Sequence, residues 1–537
     1  MESIKVKKIA VLSLFLFIIT GIFMRFHHIT QNQFFYYDEG MWLNSGRAFV
    51  ALLQGNPPQG LMPMMKALSI SLAISLSSAK SLWLFISNLR GFFIHDGGLY
   101  FTRVVSAIFG SLTLGVMYLF SRRYFASRWI ALFATALLAV YPSHVYYSRL
   151  ALQESLSTFC FFLGMYFYVF SKGIRGKTFL SAFLFACVFL SNYRMIIIPV
   201  IVGFCELFLS FSEQRKFDVR KYIWNAVTFF AIIFLLGSLY KGANIYITFA
   251  WMFHQADSAK GHFEWLNFLS YPYYLFVLES WLFGLLFFWN IYFIIKKEWG
   301  KLFPFALSVF MMILFSFPQE KGVRYLCVAM PFMVMAVSVL ISEIYKQKNA
   351  RYQWFLILAA GIMLIVHLGK SRDIIQFQSN YESSTFDILQ KNPTAKIFST
   401  QNMVQGLFMP NPKNVLELPR NFQMFLRYYQ QGFRYLVIDP QAYVSFTQDG
   451  YRFSPPLAGY LSFIVKNLPP YKTYPHFNKA MLERFVLEHN ESLSRSIQFL
   501  KLNNNGELGA LRVYDLDVCI PIMARFAQIK EQKSGAQ

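Results

Sequence analysis

The chain has 537 residues, of which 56% are hydrophobic and only 14% are charged. Soluble proteins carry about 25% charged residues, so this composition excludes an ordinary soluble protein and indicates one that lies mostly in a membrane. The formal net charge is +23. Membrane proteins typically carry an excess of lysine and arginine in their cytoplasmic loops, so the positive charge is explained without a nucleic acid partner, and none is predicted.

The N-terminal segment has three lysines at positions 5–8, followed by an apolar run at 9–23. This order resembles a secretory signal peptide. However, no small-residue cleavage site follows the run, because residues 24–28 read Met-Arg-Phe-His-His. The pattern predicts an uncleaved first transmembrane helix with the N-terminus in the cytoplasm.

Clusters of lysine and arginine recur along the chain and mark its cytoplasmic loops. They lie at 5–8, 122–128, 172–177, 215–221, 296–301 and 346–351. Between successive clusters the chain must cross the membrane twice, and its apolar runs are long enough for a bilayer core of ~30 Å. This alternation predicts a polytopic α-helical membrane protein with about eleven transmembrane helices. The predicted spans are 9–27, 101–120, 129–146, 150–171, 178–191, 195–212, 222–241, 273–295, 302–317, 324–345 and 353–369.

Two stretches allow more than one interpretation. The interval 178–212 is interpreted as two short helices hinged at 191–194, and the alternative is one long tilted helix. The apolar stretch 61–90 is interrupted by Pro63, Lys66 and many serines. It is interpreted as helices lying on the outer membrane surface, and the alternative is a further span.

Three long segments lie outside the predicted spans on the outer side, at 28–100, 242–272 and 370–537. The last is rich in Asn, Gln, Pro and charged residues, which predicts a soluble extracytoplasmic domain after a transmembrane domain at 1–369. The predicted strands of this domain are 396–398, 435–438 and 511–514, and its predicted helices are 380–390 and 479–488. The C-terminal segment is therefore predicted to be a small α/β domain.

The first outer segment contains two adjacent acids, Asp38 and Glu39. They are either a solvated loop face or a functional pair. In the functional interpretation one carboxylate takes a proton from an acceptor hydroxyl or amine, while its neighbour binds or orients that acceptor.

Arg149 and Glu154 lie at the start of a predicted membrane helix. Charges at membrane depth are costly and usually face a polar cavity or each other. The alternatives are therefore a pair at the membrane interface and a functional site, in which the planar fork of Arg149 would hold a phosphate oxygen.

Lys321 and Arg324 lie on the predicted outer side, contrary to the usual distribution of basic residues. Such a pair needs an anion, which is either the phosphate of a lipid-linked substrate or a bilayer headgroup. Arg194, in another predicted outer turn, raises the same question. Membrane lipids are therefore expected partners in either case.

The segment 242–272 contains His254, Asp257, His262 and Glu264. Their spacing matches no recognised zinc site, so no metal ligand is predicted there and a divalent metal remains the weaker alternative. The favoured interpretation is a polar loop over the mouth of an active site. The sequence indicates no other cofactor.

Several motifs occur in a defined order along residues 1–345. They are Asp38-Glu39, the run 102–113, the run 118–123, Tyr141-Pro142, the run 148–154, Arg324-Tyr325 and Pro331. This order, on alternate sides of the membrane, resembles the GT-C class of membrane glycosyltransferases. The resemblance is to the branch of protein O-mannosyltransferases and aminoarabinose transferases, and no part of 370–537 matches it.

The resemblance implies a GT-C fold over 1–369 and a polyprenyl-phosphate sugar as donor, with inversion at the anomeric carbon. It implies that Asp38 acts at the catalytic centre with Glu39 as its companion. Glu154 is the acid of the third outer turn in the family pattern, and Arg149 is its arginine.

The resemblance also implies that Lys321 and Arg324 meet the donor phosphate. Arg194 stands near a position where the family commonly has lysine, so the sequence departs from the pattern there. The residues predicted to contact substrate from loops are His254, His262 and Tyr325.

Together these features predict an enzyme that transfers a sugar from a lipid phosphate to a lipid, glycan or protein acceptor on the outer membrane face. A sugar phosphate is already activated, so the protein must hold the leaving phosphate with cations and deprotonate the acceptor. The alternatives are a lipid or solute transporter, which also has many helices and intramembrane charges, and a non-catalytic membrane protein that binds glycans or peptides.

Overall fold

The computed structural model divides into two compact units. The helical unit comprises residues 1–29, 45–375 and 487–493, and the α/β unit comprises residues 30–44, 376–486 and 494–537. The structure describes residues 4–31, 38–44, 61–76, 80–93, 100–171, 175–238, 250, 265–317, 322–346, 350–419, 422–439, 463–475, 478–488, 493–502 and 510–523.

The described part of the helical unit consists almost entirely of helices. Its α-helices are Ile4–Phe26, Leu61–Leu76, Ser81–Phe93, Phe101–Phe125, Arg128–Ala139, Pro142–Tyr147, Glu154–Val169, Arg175–Ser191, Ile198–Ser212, Val219–Ser238, Ser270–Tyr274, Trp281–Trp289, Tyr292–Ile295, Trp299–Ser316, Met330–Tyr345 and Ala350–Ile375. Turns of 3₁₀ helix lie at Tyr193–Ile197, Trp265–Leu269 and Val323–Val328. A π-helical turn lies at Leu275–Glu279.

Each of the eleven predicted spans overlaps one or more of these helices, and the last three residues of the predicted span 222–241 lie outside the described residues. Among the described residues, six helices are long and apolar enough to cross a membrane, namely Lys8–Phe26, Phe101–Phe125, Tyr193–Ser212, Val219–Leu236, Trp299–Ser316 and Gln353–Ile375. Shorter apolar helices at Arg128–Ala139, Trp281–Ile295 and Met330–Tyr345, with Glu154–Val169 and Arg175–Ser191, occupy the others. Large apolar side chains such as Val11 and Ile365 are exposed along them, which suits contact with lipid. The predicted polytopic membrane fold is confirmed.

The hinge predicted at 191–194 is present. The helix Arg175–Ser191 ends there because Asn192 is extended, with φ −147° and ψ 99°. Its side chain then accepts a hydrogen bond of 3.3 Å from the backbone N–H of Arg194 and so caps the next helical turn. The alternative of one long helix over 178–212 is wrong.

The stretch 61–90 forms two helices, Leu61–Leu76 of 16 residues and Ser81–Phe93 of 13 residues. Their position on the outer membrane surface stays a prediction.

The α/β unit contains a sheet of five strands in the order β2-β1-β3-β5-β4. The strands are β1 Lys396–Ser399, β2 Val415–Leu416, β3 Phe433–Ile438, β4 Lys472–Pro475 and β5 Ala510–Asp515. Strand β1 pairs in parallel with β2 and β3, whereas β5 is antiparallel to β3 and β4. The helices include 38–44, Tyr381–Lys391, Asn402–Gln405, Phe422–Gln430, 463–467, Lys479–Glu488, Leu493–Leu502 and 516–523.

The core of the α/β unit lies between the sheet and its helices. It includes Phe398, Phe425, Phe433, Leu436 and Tyr514, which are all buried. The three predicted strands and both predicted helices are confirmed. Strands β2 and β4 escaped prediction because β2 has only two residues and three of the four residues of β4 are exposed.

Candidate active site

Two of the predicted phosphate-binding arginines lie around one tyrosine of the helical unit. The guanidinium carbon of Arg194 lies 4.1 Å from the centre of the Tyr325 ring, and that of Arg324 lies 5.4 Å from it. A nitrogen of Arg324 also donates to the Tyr325 hydroxyl at 3.5 Å. We call these three residues the arginine cluster. It brings together side chains that are 130 positions apart in the chain.

The cluster combines half-buried cations with a buried ring. Arg194 and Arg324 are half-buried, and Tyr325 is buried. A guanidinium group is attracted to the face of an aromatic ring, so the ring of Tyr325 stabilises both cations. The planar guanidinium groups match the geometry of phosphate oxygens. The cluster is therefore suited to bind a phosphate group.

Local backbone structure positions both arginines. The cap made by Asn192 fixes the 3₁₀ turn that carries Arg194. Gly322 precedes the turn that carries Arg324, and a Cβ atom on Gly322 would lie 3.3 Å from both Arg324 Cγ and Glu488 Oε2. A glycine at this position lets the three residues approach closely.

Glu488, at the end of the helix Lys479–Glu488, is a buried acid beside Arg324. The sequence indicated no role for Glu488, because a single acid in a helix of mixed polarity is typical of a solvent-exposed face. The side chain is only 6% exposed. Burial raises its pKa well above the usual value, and the nearby backbone N–H of Arg324 offsets this only in part. Leu493, in the same segment 487–493 of the helical unit, donates its backbone N–H to Asn267 Oδ1 at 3.1 Å.

Arg149 contacts the end of the first helix, Ile4–Phe26. Its Nη1 donates to the carbonyl oxygens of Met24 and Arg25, each at 3.1 Å. The last carbonyls of a helix lack partners within the helix, so a buried arginine stabilises them. Arg149 therefore stabilises the C-terminal end of the first helix.

Arg25 is a second buried arginine that sequence analysis passed over. Its Nη1 donates to the carbonyl oxygens of Gly21 at 2.7 Å and Ala139 at 3.1 Å. Its Nη2 lies 2.6 Å from His144 Nδ1. The signal in the sequence was a charged residue inside the predicted span 9–27, which is rare without a function or a partner.

Glu154 is the first residue of the helix Glu154–Val169 and is buried, with 2% exposure. Gln153 Nε2 donates to its Oε1 at 3.0 Å. A carboxylate is stabilised at a helix N-terminus by the aligned backbone dipoles. Another buried acid, Glu279, accepts hydrogen bonds from the hydroxyl and backbone N–H of Ser143.

The acidic pair lies in the short helix 38–44 of the α/β unit. Asp38 is half-buried and Glu39 is fully buried. Asn44 Nδ2 donates to the carbonyl oxygen of Met403 at 2.8 Å. The C-terminal domain, for which the sequence offered no resemblance, therefore contacts the helix that carries the predicted base.

Three predicted site residues, Lys321, His254 and His262, lie outside the described residues. Within the described ranges, no group of three or more His, Cys, Asp or Glu side chains is placed to hold a metal ion. Asp257 and Glu264 of the same predicted loop are also outside those ranges.

Comparisons with known proteins bear on the fold and on the protein family, and not on single residues of the site. Residues 15–244 match the family model described as dolichyl-phosphate-mannose-protein mannosyltransferase. The match covers less than half of the 537 residues and includes the acidic pair, Arg149, Glu154 and Arg194. No curated protein sequence matches the chain.

Solved structures resemble the chain over most of its length. The archaeal oligosaccharyltransferase AglB from Archaeoglobus fulgidus, in complex with an inhibitory peptide and a dolichol-phosphate, has a TM-score of 0.55 at 12% identity, covering 85% of this chain and 72% of that chain. ArnT from Cupriavidus metallidurans, bound to undecaprenyl phosphate, has a TM-score of 0.51 at 12% identity, covering 84% of this chain and 96% of that chain. At such low identity the likeness establishes the fold alone.

Proposed function

We propose that this chain, a membrane glycosyltransferase of the GT-C class, transfers a sugar from a polyprenyl-phosphate donor to a lipid, glycan or protein acceptor. In this proposal the N-terminus is cytoplasmic and both the reaction and the C-terminal domain are on the outer face. The single observation that supports it most is the arginine cluster, in which Arg194 and Arg324 flank the ring of Tyr325.

The donor half of the proposed site is cationic. In AglB and ArnT the bound lipids are a dolichol-phosphate and an undecaprenyl phosphate. The same phosphate chemistry fits the paired guanidinium groups of this chain. We assign Arg194 and Arg324 to the donor phosphate, with Lys321 as a third cation from the adjoining segment.

The acceptor half is acidic. An oxygen or nitrogen of the acceptor attacks the anomeric carbon, the bond from that carbon to the phosphate oxygen breaks, and the phosphate leaves with the electron pair. The acceptor proton passes to Asp38 as general base. The leaving group is stabilised by the arginines as its charge develops.

The remaining residues support these two halves. Glu39 follows Asp38 in the same helix and is buried, and it is proposed to orient Asp38 or the acceptor. Arg149 and Glu154 both lie at the start of the helix Glu154–Val169 or just before it, and the bonds of Arg149 to Met24 and Arg25 stabilise the end of the first helix. Tyr325 is proposed to keep both guanidinium planes in place.

A transfer assay tests the proposal. Purified protein in lipid nanodiscs is given a lipid-linked sugar and a mixture of membrane glycolipids and peptides, and released polyprenyl phosphate is measured. We expect release by the wild type and no release by Asp38→Asn. Asp387→Asn is the matched control, because Asp387 pairs with Lys472 at the sheet surface. Equal release by wild type and Asp38→Asn contradicts the assignment of the base.

A further inference from the structure

The helix 38–44, which carries the acidic pair, packs closely against another segment of the α/β unit. At Gly40 the contact leaves no room for a side chain. Within the helix 38–44, a Cβ atom on Gly40 would lie 2.6 Å from the carbonyl carbon of Met403, 2.7 Å from its oxygen and 2.8 Å from the nitrogen of Val404. These are backbone atoms, which cannot rotate away as the end of a side chain can. Any larger residue at position 40 must therefore displace the helix.

A second contact fixes the far end of the same helix. Asn44 Nδ2 donates to the carbonyl oxygen of Met403 at 2.8 Å. Between these two points Trp42 and Leu43 are buried. Two contacts with one backbone segment define both the distance and the rotation of the helix, and so the direction of the Asp38 side chain.

The segment that receives Gly40 is itself held by a buried polar network. Met403 lies in the helix Asn402–Gln405, where Gln405 Nε2 donates to the carbonyl oxygen of Tyr381 at 3.3 Å. The Tyr381 hydroxyl donates to Asp439 Oδ2 at 2.7 Å, and the Thr400 hydroxyl donates to Asp439 Oδ1 at 3.1 Å. Thr400 and Asp439 follow the parallel strands β1 and β3. The sheet therefore fixes the position of Met403.

We infer that the α/β unit positions the acidic pair for catalysis, with Gly40 and Asn44 as positioning residues. This inference rests on the proposed role of Asp38 as base. It gives the C-terminal domain a function in the chemical step, in addition to any part in acceptor choice. A displacement of about 1 Å at a catalytic group can cost about 100-fold in rate, so small changes at this contact have large effects.

Gly40→Ala tests the inference directly. We expect kcat for polyprenyl phosphate release to fall roughly 10- to 100-fold, whereas the KM for the lipid-linked sugar stays within about twofold of the wild type. Asn44→Ala removes one hydrogen bond and lowers kcat less. The matched control is Gly369→Ala, because a Cβ atom there meets nothing within 4 Å. A wild-type kcat for Gly40→Ala overturns the inference, as does a fall that is equal in the control.

A double variant separates positioning from general damage. In the Asp38→Asn background the base is already absent, so adding Gly40→Ala should lower the residual single-turnover rate no further. A further loss as large as in the wild-type background overturns the inference.

Hydrogen exchange distinguishes this inference from the proposed function. If the wild type releases no polyprenyl phosphate, the proposed function fails, while the packing of 38–44 can still be measured. The backbone amides of residues 38–44 should then exchange faster in Gly40→Ala than in the wild type and in Gly369→Ala. Unchanged exchange in Gly40→Ala overturns the inference, whatever the activity.

Discussion

The arginine cluster and the acidic pair are held in different ways. In the cluster, the side chains of Arg194 and Arg324 lie around the ring of Tyr325. The acidic pair lies in a short helix whose backbone approaches that of Met403 at Gly40. The first arrangement depends on side-chain charge and the second on backbone packing. We therefore expect changes in the cluster to alter donor affinity and changes around the acidic pair to alter the rate of transfer.

The largest effect is expected for Asp38→Asn. Loss of a general base typically lowers a rate by about 10²- to 10⁴-fold, and the asparagine keeps the shape of the side chain. Donor binding, folding and membrane insertion should be unchanged. The measurement is kcat beside the dissociation constant of the lipid-linked sugar. A larger dissociation constant with unchanged kcat would mean that Asp38 binds the donor and does not act in the transfer step.

Arg324→Gln and Arg194→Gln should each weaken donor binding by roughly 10- to 100-fold, because a charge-assisted hydrogen bond contributes about 1.5–3 kcal/mol. The control is Arg122→Gln, since Arg122 also lies near a tyrosine ring, with its guanidinium carbon 5.9 Å from the centre of Tyr118. Titration with radiolabelled polyprenyl phosphate measures the effect. Equal affinity for polyprenyl phosphate in all three variants would contradict the assignment of the arginine cluster to the donor phosphate.

Glu488→Gln should change the pH dependence of stability. The pKa of Glu488 is raised by burial, so its contribution is fully present below the unfolded pKa of about 4.3. That contribution is lost as pH rises through the folded-state pKa. Glutamine keeps the shape without the ionisation, so the variant should lose less thermal stability between pH 4 and pH 8.

Thermal unfolding of wild type, Glu488→Gln and the exposed-site control Glu382→Gln across that range is the test. The unfolding temperatures of the three proteins should agree at the acidic end of the range. Only for Glu488→Gln should the unfolding temperature depend less on pH than in the wild type. Parallel curves for all three would mean that Glu488 does not ionise on unfolding.

The smallest effect is expected for Asn192→Ala, which removes the cap of the 3₁₀ turn that carries Arg194. Loss of an N-cap costs about 1 kcal/mol. The unfolding temperature should fall by a few degrees at most, with donor affinity reduced less than in Arg194→Gln. A loss of affinity as large as in Arg194→Gln would mean that the cap, and not the guanidinium charge, determines binding.

The helical fold could be predicted from the sequence because apolar runs and basic clusters report directly on the membrane. Even the break at 191–194 was expected, since the chain must cross the membrane twice between the basic clusters at 172–177 and 215–221. The strands at 396–398, 435–438 and 511–514 were expected from their β-branched and aromatic residues. The enzyme class was expected from the order of the motifs and is supported by the family match, which does not favour the alternative of a transporter.

Contacts between distant segments were beyond prediction. Nothing local indicates that Gly40 meets the backbone of Met403, or that Glu488 lies beside Gly322, because both depend on tertiary packing. Arg149 illustrates the same limit in another way. Its charge was recognised, but its bonds to the carbonyl oxygens of Met24 and Arg25 depend on where the first helix ends.

The most direct test of the account is to measure donor binding and sugar transfer in the same preparations of three proteins, namely the wild type, Asp38→Asn and the double variant Arg194→Gln/Arg324→Gln. We expect Asp38→Asn to bind the lipid-linked sugar with wild-type affinity but not to transfer it. We expect the double variant not to bind the lipid-linked sugar. Transfer by Asp38→Asn at the wild-type rate, or donor binding by the double variant at wild-type affinity, would contradict the account.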